Sequence, residues 1–247
     1  MPSRRRKARE AAMKALYQND LVGHDMLESL DQVVAEDHLQ LALEAFAREF
    51  VSGTPAVQAN VSGIERFITD FAGISLAMAR DPLQLRGALL GLIDESFPKD
   101  RRAAIAGDRN GIDTLVEKAS SKAKNVSQLL TFARELVVAT QDHQKEIDEV
   151  LSRFADHWSI ERMASLDRSI LRFATCELLF FSEIPVNVTI NEAIEIAKKF
   201  STERSCEFVN GILDKIQREL KPGKNDPRKK SPVEAPENTT PPGATKE

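Results

Sequence analysis

The stretch WSIERMASLDRSILRFATCELLFFSEIPVNVTINEAIEIAKKFSTERSCEFVNGILDKIQREL, residues 158–220, carries three successive apolar stripes at helical spacing. It begins at Trp158 and ends at Leu220. In the first stripe Ile160, Met163, Leu166, Ile170, Phe173, Ala174 and Leu178 recur every three or four residues, and Glu161, Arg162, Asp167, Arg168 and Arg172 fill the gaps. Pro185 lacks an amide hydrogen and biases Ile184 toward an extended backbone, so it is predicted to end this helix. Thr189 and Glu192 have the spacing of a capping box and are expected to open a second helix, with Ile190, Ala193, Ile194 and Ala197 turned inward. Ser205 is the expected cap of the third, whose stripe is Phe208, Val209, Ile212, Leu213, Ile216 and Leu220. Three such stripes require a common core, which helices build by packing on one another.

Outward from this stretch the period persists. An acidic pattern from Asp25 to Gln40, with Leu27, Leu30, Val33 and Val34, runs on through Leu39, Leu43, Phe46 and Phe50 until Ser52-Gly53-Thr54-Pro55 breaks it. A segment from about Ile64 to Ala79 reads as one helix, and Asp81-Pro82 supplies a cap and a first-turn proline for another that reaches about Phe97. Pro98 to Gly111 reads as a polar connector, Ile112 to Ala119 as a short helix, and Val126 to Phe154 as one or two long ones. No stretch sustains a two-residue alternation, so the fold class is all-α. The final residues 221–247 hold Pro222, Pro227, Pro232, Pro236, Pro241 and Pro242 and are expected to be disordered, since they bury too little apolar area to offset the entropy of ordering.

Composition narrows the class of function. The chain has 247 residues, 42% hydrophobic and 29% charged, the balance of an ordinary globular protein. Cys176 and Cys206 give neither a disulfide framework nor metal-ligand spacing and are expected to pack in a reducing compartment. No apolar run is long enough to span a bilayer and no apolar segment follows the N-terminal arginines, so the expected location is the cytoplasm. The net charge of −4 means that any affinity for nucleic acid must be local.

A local cluster exists. Arg4, Arg5, Arg6, Lys7 and Arg9 precede or flank the first opposing charge, Glu10. Behind them Ala8, Ala11, Ala12, Ala15 and Leu16 recur at helical spacing, which makes the basic arm the leading turn of an ordered helix. Arginine's planar fork holds phosphates in bidentate fashion and stacks on bases, whereas a short basic terminus is as often only solvated. Continuation into a helix favours RNA. Elsewhere the search for chemistry returns little. The histidines His24, His38, His143 and His157 stand apart from any ligand set, no phosphate loop or nucleophile elbow occurs, and carboxylates alternate with Lys and Arg. The reading is a binding protein rather than an enzyme, without metal or cofactor. Asn210-Gly211 inside a helical pattern is a further oddity, read either as close approach of a neighbouring helix or as backbone exposed to a ligand.

Four motifs carry a resemblance. They are Arg4-Arg5-Arg6-Lys7-Ala8-Arg9-Glu10 leading to Ala15-Leu16-Tyr17; Asp167-x-x-Ile170-Leu171-Arg172-x-Ala174-x-x-Glu177-Leu178; Ile190-Asn191-Glu192-Ala193-Ile194-Glu195-Ile196-Ala197-Lys198; and Phe208-Val209-Asn210-Gly211-Ile212-Leu213-Asp214-Lys215. In this order they resemble the NusB family of transcription antitermination proteins, over about the first 22 residues and then 126–220. The resemblance implies two small helical subdomains packed together. It implies binding of the boxA element, a single-stranded RNA of nascent ribosomal RNA transcripts, jointly with the small-subunit ribosomal protein NusE, on the RNA polymerase elongation complex. Carried over by position, Arg4, Arg5, Arg6, Lys7 and Arg9 hold the RNA with Phe208 and Asn210 near it. Tyr17, Asp167, Glu203 and Arg204 face NusE, with Arg204 standing where the family carries an acidic residue.

The chain is longer than a compact family member. The expected organisation is a domain over residues 1–220, its core formed by 1–39 and 126–220 with a helical insertion at about 40–125, and a tail over 221–247. Two other readings stay open. One is an RNA-binding module related to the N-terminal domains of ribosomal RNA cytosine methyltransferases, although the chain has no Pro-Cys nucleophile motif. The other is a helical scaffold for proteins alone.

Overall fold

A computed structural model describes residues 3–55, 57, 61–155 and 159–220; Trp158, His157 and the 221–247 segment lie outside the described residues. Every element among them is helical. Helix α1 (Arg4–Val22) is capped by Ser3, whose hydroxyl accepts from the Arg6 amide at 3.1 Å, and it ends at Gly23. Gly23 adopts a left-handed φ of 71° and donates to the Asn19 carbonyl, a conformation that glycine enters without the penalty of a Cβ. Asp25 caps α2 (Met26–Val34) through the Leu27 and Glu28 amides, and a π-turn over Ala35–Gln40 joins it without a break to α3 (Leu41–Gly53). The long acidic helix of the sequence reading is therefore real, with one wide turn in its middle.

Next come α4 (Val61–Ala72), α5 (Leu76–Arg80), α6 (Pro82–Ser96), α7 (Lys99–Gly107), α8 (Arg109–Asp142) and α9 (Gln144–Phe154). Asp81 and Pro82 open α6 as expected, the Asp81 carboxylate accepting from the Leu83 and Gln84 amides. Three expectations are corrected here. The helix expected from Ile64 to Ala79 is two helices, because Ser75 caps a new one after Gly73. The connector from Pro98 to Gly111 is largely α7, whose Ile105 side chain is buried. The short helix at 112–119 and the one from Val126 are a single helix of 34 residues, about 51 Å long at 1.5 Å per residue.

That helix is the spine. One end of α8 packs among α3, α5 and α6, and α1, α2 and α10 also pack along it. The lobe at the first end has an aromatic centre: the Phe67 ring lies 5.9 Å from Phe50, 6.0 Å from Phe71 and 5.8 Å from Phe97. Each such pair contributes about 0.5–1.5 kcal/mol beyond the area it buries.

The three closing helices are α10 (Ser165–Phe180), α11 (Val186–Phe200) and α12 (Glu203–Leu220), and their stripes as far as Ile216 lie in or against the core, the Leu220 side chain being outside the described residues. Their starts differ from the sequence reading, each for a traceable reason. Ile160–Arg162 form a separate 3-10 turn, because the Arg168 guanidinium takes the carbonyls of Ile160 at 2.9 Å and Met163 at 3.4 Å. Helix α10 ends at Phe180, ahead of Pro185, and Pro185 instead opens α11. Its carbonyl accepts from the Val188 amide at 2.8 Å. Thr189 is thus inside α11, buried, with its hydroxyl donating to Glu177 at 2.7 Å rather than capping. For α12 the cap is Thr202, which accepts from the Ser205 amide at 3.2 Å.

Candidate nucleic-acid interface

The basic arm is ordered, as the first two turns of α1, but its five cations have different fates. Arg4 is exposed and donates to the Gln128 side chain on α8. Arg5 is exposed, its guanidinium 5.3 Å from the centre of the Phe132 ring, also on α8. Arg6 binds Glu192 of α11 through two nitrogens, at 2.6 and 3.1 Å, and Glu195 at 3.7 Å. The hydrogen bond to Glu192 leads the causes that hold the Arg6 pKa above the ordinary arginine value. Lys7 is half-buried and forms no ion pair with a described residue.

Arg9 corrects the sequence reading. Its side chain is 1% exposed, and its fork closes on Glu177 of α10 with contacts of 2.7 and 2.5 Å. A guanidinium so enclosed has no donor to offer a phosphate, and its role is to join α1 to α10. The sequence held part of the signal: Ala8, Ala12 and Leu16 mark the inward face of α1, and Arg9 lies on the wheel about 20° past Leu16, at the edge of that face.

The other expected RNA contacts lie on α12. Phe208 is half-buried and packs against the core, whereas Asn210 is exposed. Gly211 beside it is also exposed, and a Cβ built there meets nothing within 4 Å. The reading of Gly211 as the close approach of a neighbouring helix is therefore overturned. The connection from the arm to this face runs through α11, which α1 holds by Arg6 and by the Glu10 carboxylate, 2.6 Å from Lys199, and along which α12 packs.

Three of the four residues expected to face a protein partner, Asp167, Glu203 and Arg204, lie at or against the junction of α11 and α12. Glu203 and Arg204 are exposed at the start of α12. Asp167 is buried and accepts from the Ser201 hydroxyl at 2.8 Å, so it fixes that junction from beneath rather than presenting a surface. Tyr17, half-buried, lies one turn beyond Lys14, whose ammonium is 5.8 Å from the Phe200 ring at the same junction.

Residues that the sequence reading passed over complete the arm's surroundings. Gln128 and Phe132 receive Arg4 and Arg5. Lys122, a turn and a half earlier on α8, is half-buried, and burial followed by the charge of Lys7 holds its pKa below the usual lysine value. His38, in the π-turn, is lowered by the same two causes in the same order. Only tertiary contact brings these groups to α1, and no spacing in the sequence announces them. At the opposite end of the core, Asp20 binds Arg168 and Arg172, and Arg172 also binds Asp148 at 2.8 Å, beside an open cleft of about 1310 Å³. Among the described residues no group of three or more His, Cys, Asp or Glu side chains stands ready to hold a metal ion. None of the described helices is long and apolar enough to cross a membrane.

Among the described residues these features define an all-helical protein with an arginine-led first helix docked on its own core. Comparison with known proteins narrows the class. The NusB family profile matches residues 101–218. The transcription antitermination protein NusB of Desulfitobacterium hafniense is 42% identical over 112 residues, 45% of this chain and 76% of that protein. NusB of Thermodesulfovibrio yellowstonii is 50% identical over 93 residues, and NusB of Geobacter sulfurreducens 58% over 86 residues, which are 38% and 35% of this chain. The match spans 62% of the length of each of those two relatives. A solved structure of T. maritima NusB, crystal form 2, aligns over 89% of this chain and 94% of its own at 26% identity with a TM-score of 0.46. The chain belongs to the NusB family. Those relatives are named transcription antitermination proteins.

Proposed function

We propose that this protein is a transcription antitermination factor that binds the boxA RNA of nascent ribosomal RNA transcripts together with NusE and acts on the RNA polymerase elongation complex, in the cytoplasm. The observation that carries the reading is the end of α1: Arg4 and Arg5 are exposed at the head of an ordered helix and held over α8 by Gln128 and Phe132. A positioned arginine loses less conformational freedom on meeting a phosphate or a base than one on a loose terminus. Arg6 adds to the local field and joins the RNA by exchanging out of its pair with Glu192. Asn210 and the Phe208 region extend the track across α11. Exposed Glu203 and Arg204, with Asp167 as their support, and Tyr17 of α1 form the surface toward NusE. In this reading residues 40–125 are an elaboration added to the core formed by 1–39 and 126–220.

The test is fluorescence anisotropy of a labelled boxA-type RNA and a scrambled control, with this protein alone and with NusE, at two salt concentrations. The expected result is sequence-dependent binding that NusE tightens, with a salt slope that becomes shallower when Arg4 and Arg5 are replaced by Ala. Equal, weak binding of both RNAs with no effect of NusE rejects the proposal.

A further inference from the structure

Helix α6 turns Leu85, Leu89 and Ile93 into the core of the lobe around Phe67. Its opposite side is apolar as well. At about 100° per residue, Leu83, Gly87, Leu90, Gly91 and Asp94 fall within a sector of about 100° that faces away from those three. Leu83 is 83% exposed, the most exposed large apolar side chain among the described residues, and Leu90 is 36% exposed. A Cβ built on Gly87 or on Gly91 meets nothing within 4 Å. Glycine weakens the interior of a helix, and at these two positions nothing inside the molecule needs the space that it leaves. A single exposed leucine is ordinary on a protein surface. Two leucines and two glycines on one outward stripe form instead a surface on which another helix can lie close, since the side chains at a contact set how near two helices come.

The spacing along the stripe says which helix. Gly87 is its midpoint: Leu83 and Gly91 each lie four residues from it, and Arg80 and Asp94 each lie seven. A second copy of α6, running antiparallel about a two-fold axis at Gly87, puts Leu83 of each copy over the notch at Gly91 of the other, with Leu90 beside it. The same register brings Arg80 of each copy, the last residue of α5, to Asp94 of the other. Both are exposed. Among the described residues Arg80 has no ion-pair partner, and Asp94 has only the Arg102 guanidinium at 3.9 Å. The other charges near the stripe are already engaged, Arg86 by Asp113 of α8 and Glu95 by Arg66 of α4 at 3.2 Å. An isologous dimer needs a surface complementary to itself, and this stripe sets large against small and cation against anion in one register. We infer that the outer face of α6 is an antiparallel contact between two copies of this chain. The contact lies outside residues 101–218, the part of the chain that the family profile matches, and is independent of the RNA-binding reading.

Sedimentation velocity of the full chain without RNA tests this, from about 1 to about 300 μM and at low salt, because exposed ion pairs are screened. A contact built on one helix is smaller than the roughly 1,600 Å² of a standard interface, so half-association is expected at about 10–100 μM. Leu83→Glu should weaken association by about tenfold or more and leave the melting temperature unchanged, since the side chain touches little of its own chain. Gly91→Leu should raise the melting temperature, by putting a better helix former into open space, and yet weaken association by about tenfold, by filling the notch. Arg80→Glu and Asp94→Arg should each weaken it by about fivefold. An equimolar mixture of those two variants should recover most of the lost association, since every contact in the mixed dimer again joins opposite charges. A wild type that stays monomeric at about 300 μM overturns the inference and leaves the stripe to a helix of another protein. A dimer indifferent to Leu83→Glu and Gly91→Leu has its contact elsewhere and overturns it too. A mixture that associates no better than either charge variant alone overturns the antiparallel pairing.

Discussion

Arg9 and Arg5 are one helical turn apart and both guanidiniums lie over the Phe132 ring, at 5.5 and 5.3 Å, yet they should fail in opposite ways when truncated. Arg9→Ala leaves Glu177, buried in the last turn of α10, with Thr189 as its remaining side-chain partner at 2.7 Å. Removing one member of a buried ion pair costs about 3–5 kcal/mol, because the other charge stays desolvated. For a chain of this size each kcal/mol lowers the melting temperature by about 2–4 °C, so the expected fall is roughly 6–20 °C. Arg5 is exposed and its truncation should change stability by no more than about 0.5 kcal/mol, while RNA affinity drops. The double change Arg9→Met with Glu177→Leu should recover most of the loss, short of about 1–3 kcal/mol for the Thr189 hydroxyl left unpaired. Urea unfolding and thermal melts measure the first quantity, and anisotropy at a temperature where every variant is folded measures the second. Wild-type melting of Arg9→Ala together with an affinity loss equal to that of Arg5→Ala would refute the assignment of Arg9 to the core.

Two further outcomes are expected. Gly211→Ala fills open space on the exposed face of α12 and should stabilise the fold by about 0.5–1 kcal/mol, seen as a higher urea midpoint; lost RNA affinity in that more stable variant is the sign that a ligand approaches this backbone closely. Cys176 is buried and its thiol is pushed up to about 12, chiefly by desolvation, so an alkylating reagent near neutral pH should modify the half-exposed Cys206 and spare Cys176 until denaturant is added. Rapid native modification of both thiols, counted by mass, contradicts this.

The existence of nearly every helix was legible, because an apolar stripe is a property of neighbours in sequence and survives whatever the stripe packs against. The errors share another character. Thr189 and Glu192 have capping-box spacing, but Glu177 and Arg6, respectively 12 and 186 positions away, take their polar groups first. Ile160 continues a stripe, yet its carbonyl is shared by the Met163 amide and the Arg168 side chain, and the α-helix begins only at Ser165. Sequence spacing describes which bonds a segment can make with itself, and long-range partners decide which of them it makes. The arm shows the same limit. Five cations in nine residues look equivalent until the fold leaves the first residues of α1 exposed, buries the next turn, and supplies Glu177, Glu192, Gln128 and Phe132 as distinct partners.

Helix α8 links the lobe around Phe67 to the basic arm of α1. Its first turns carry Ile112, Leu115 and Ala119 into the core, and its later turns carry Gln128 and Phe132 to the basic arm, with Lys122 between. A continuous helix is stiff over such a distance, since each residue is fixed by backbone hydrogen bonds to both adjacent turns. Packing of α3, α5 and α6 on one end therefore fixes the rotation of the other, and with it the side of α8 that meets Arg4, Arg5 and Lys7. A chain with a flexible joint near residue 120 would need separate contacts to set that rotation. In this one, the lobe around Phe67 orients the face of α8 that receives Arg4 and Arg5.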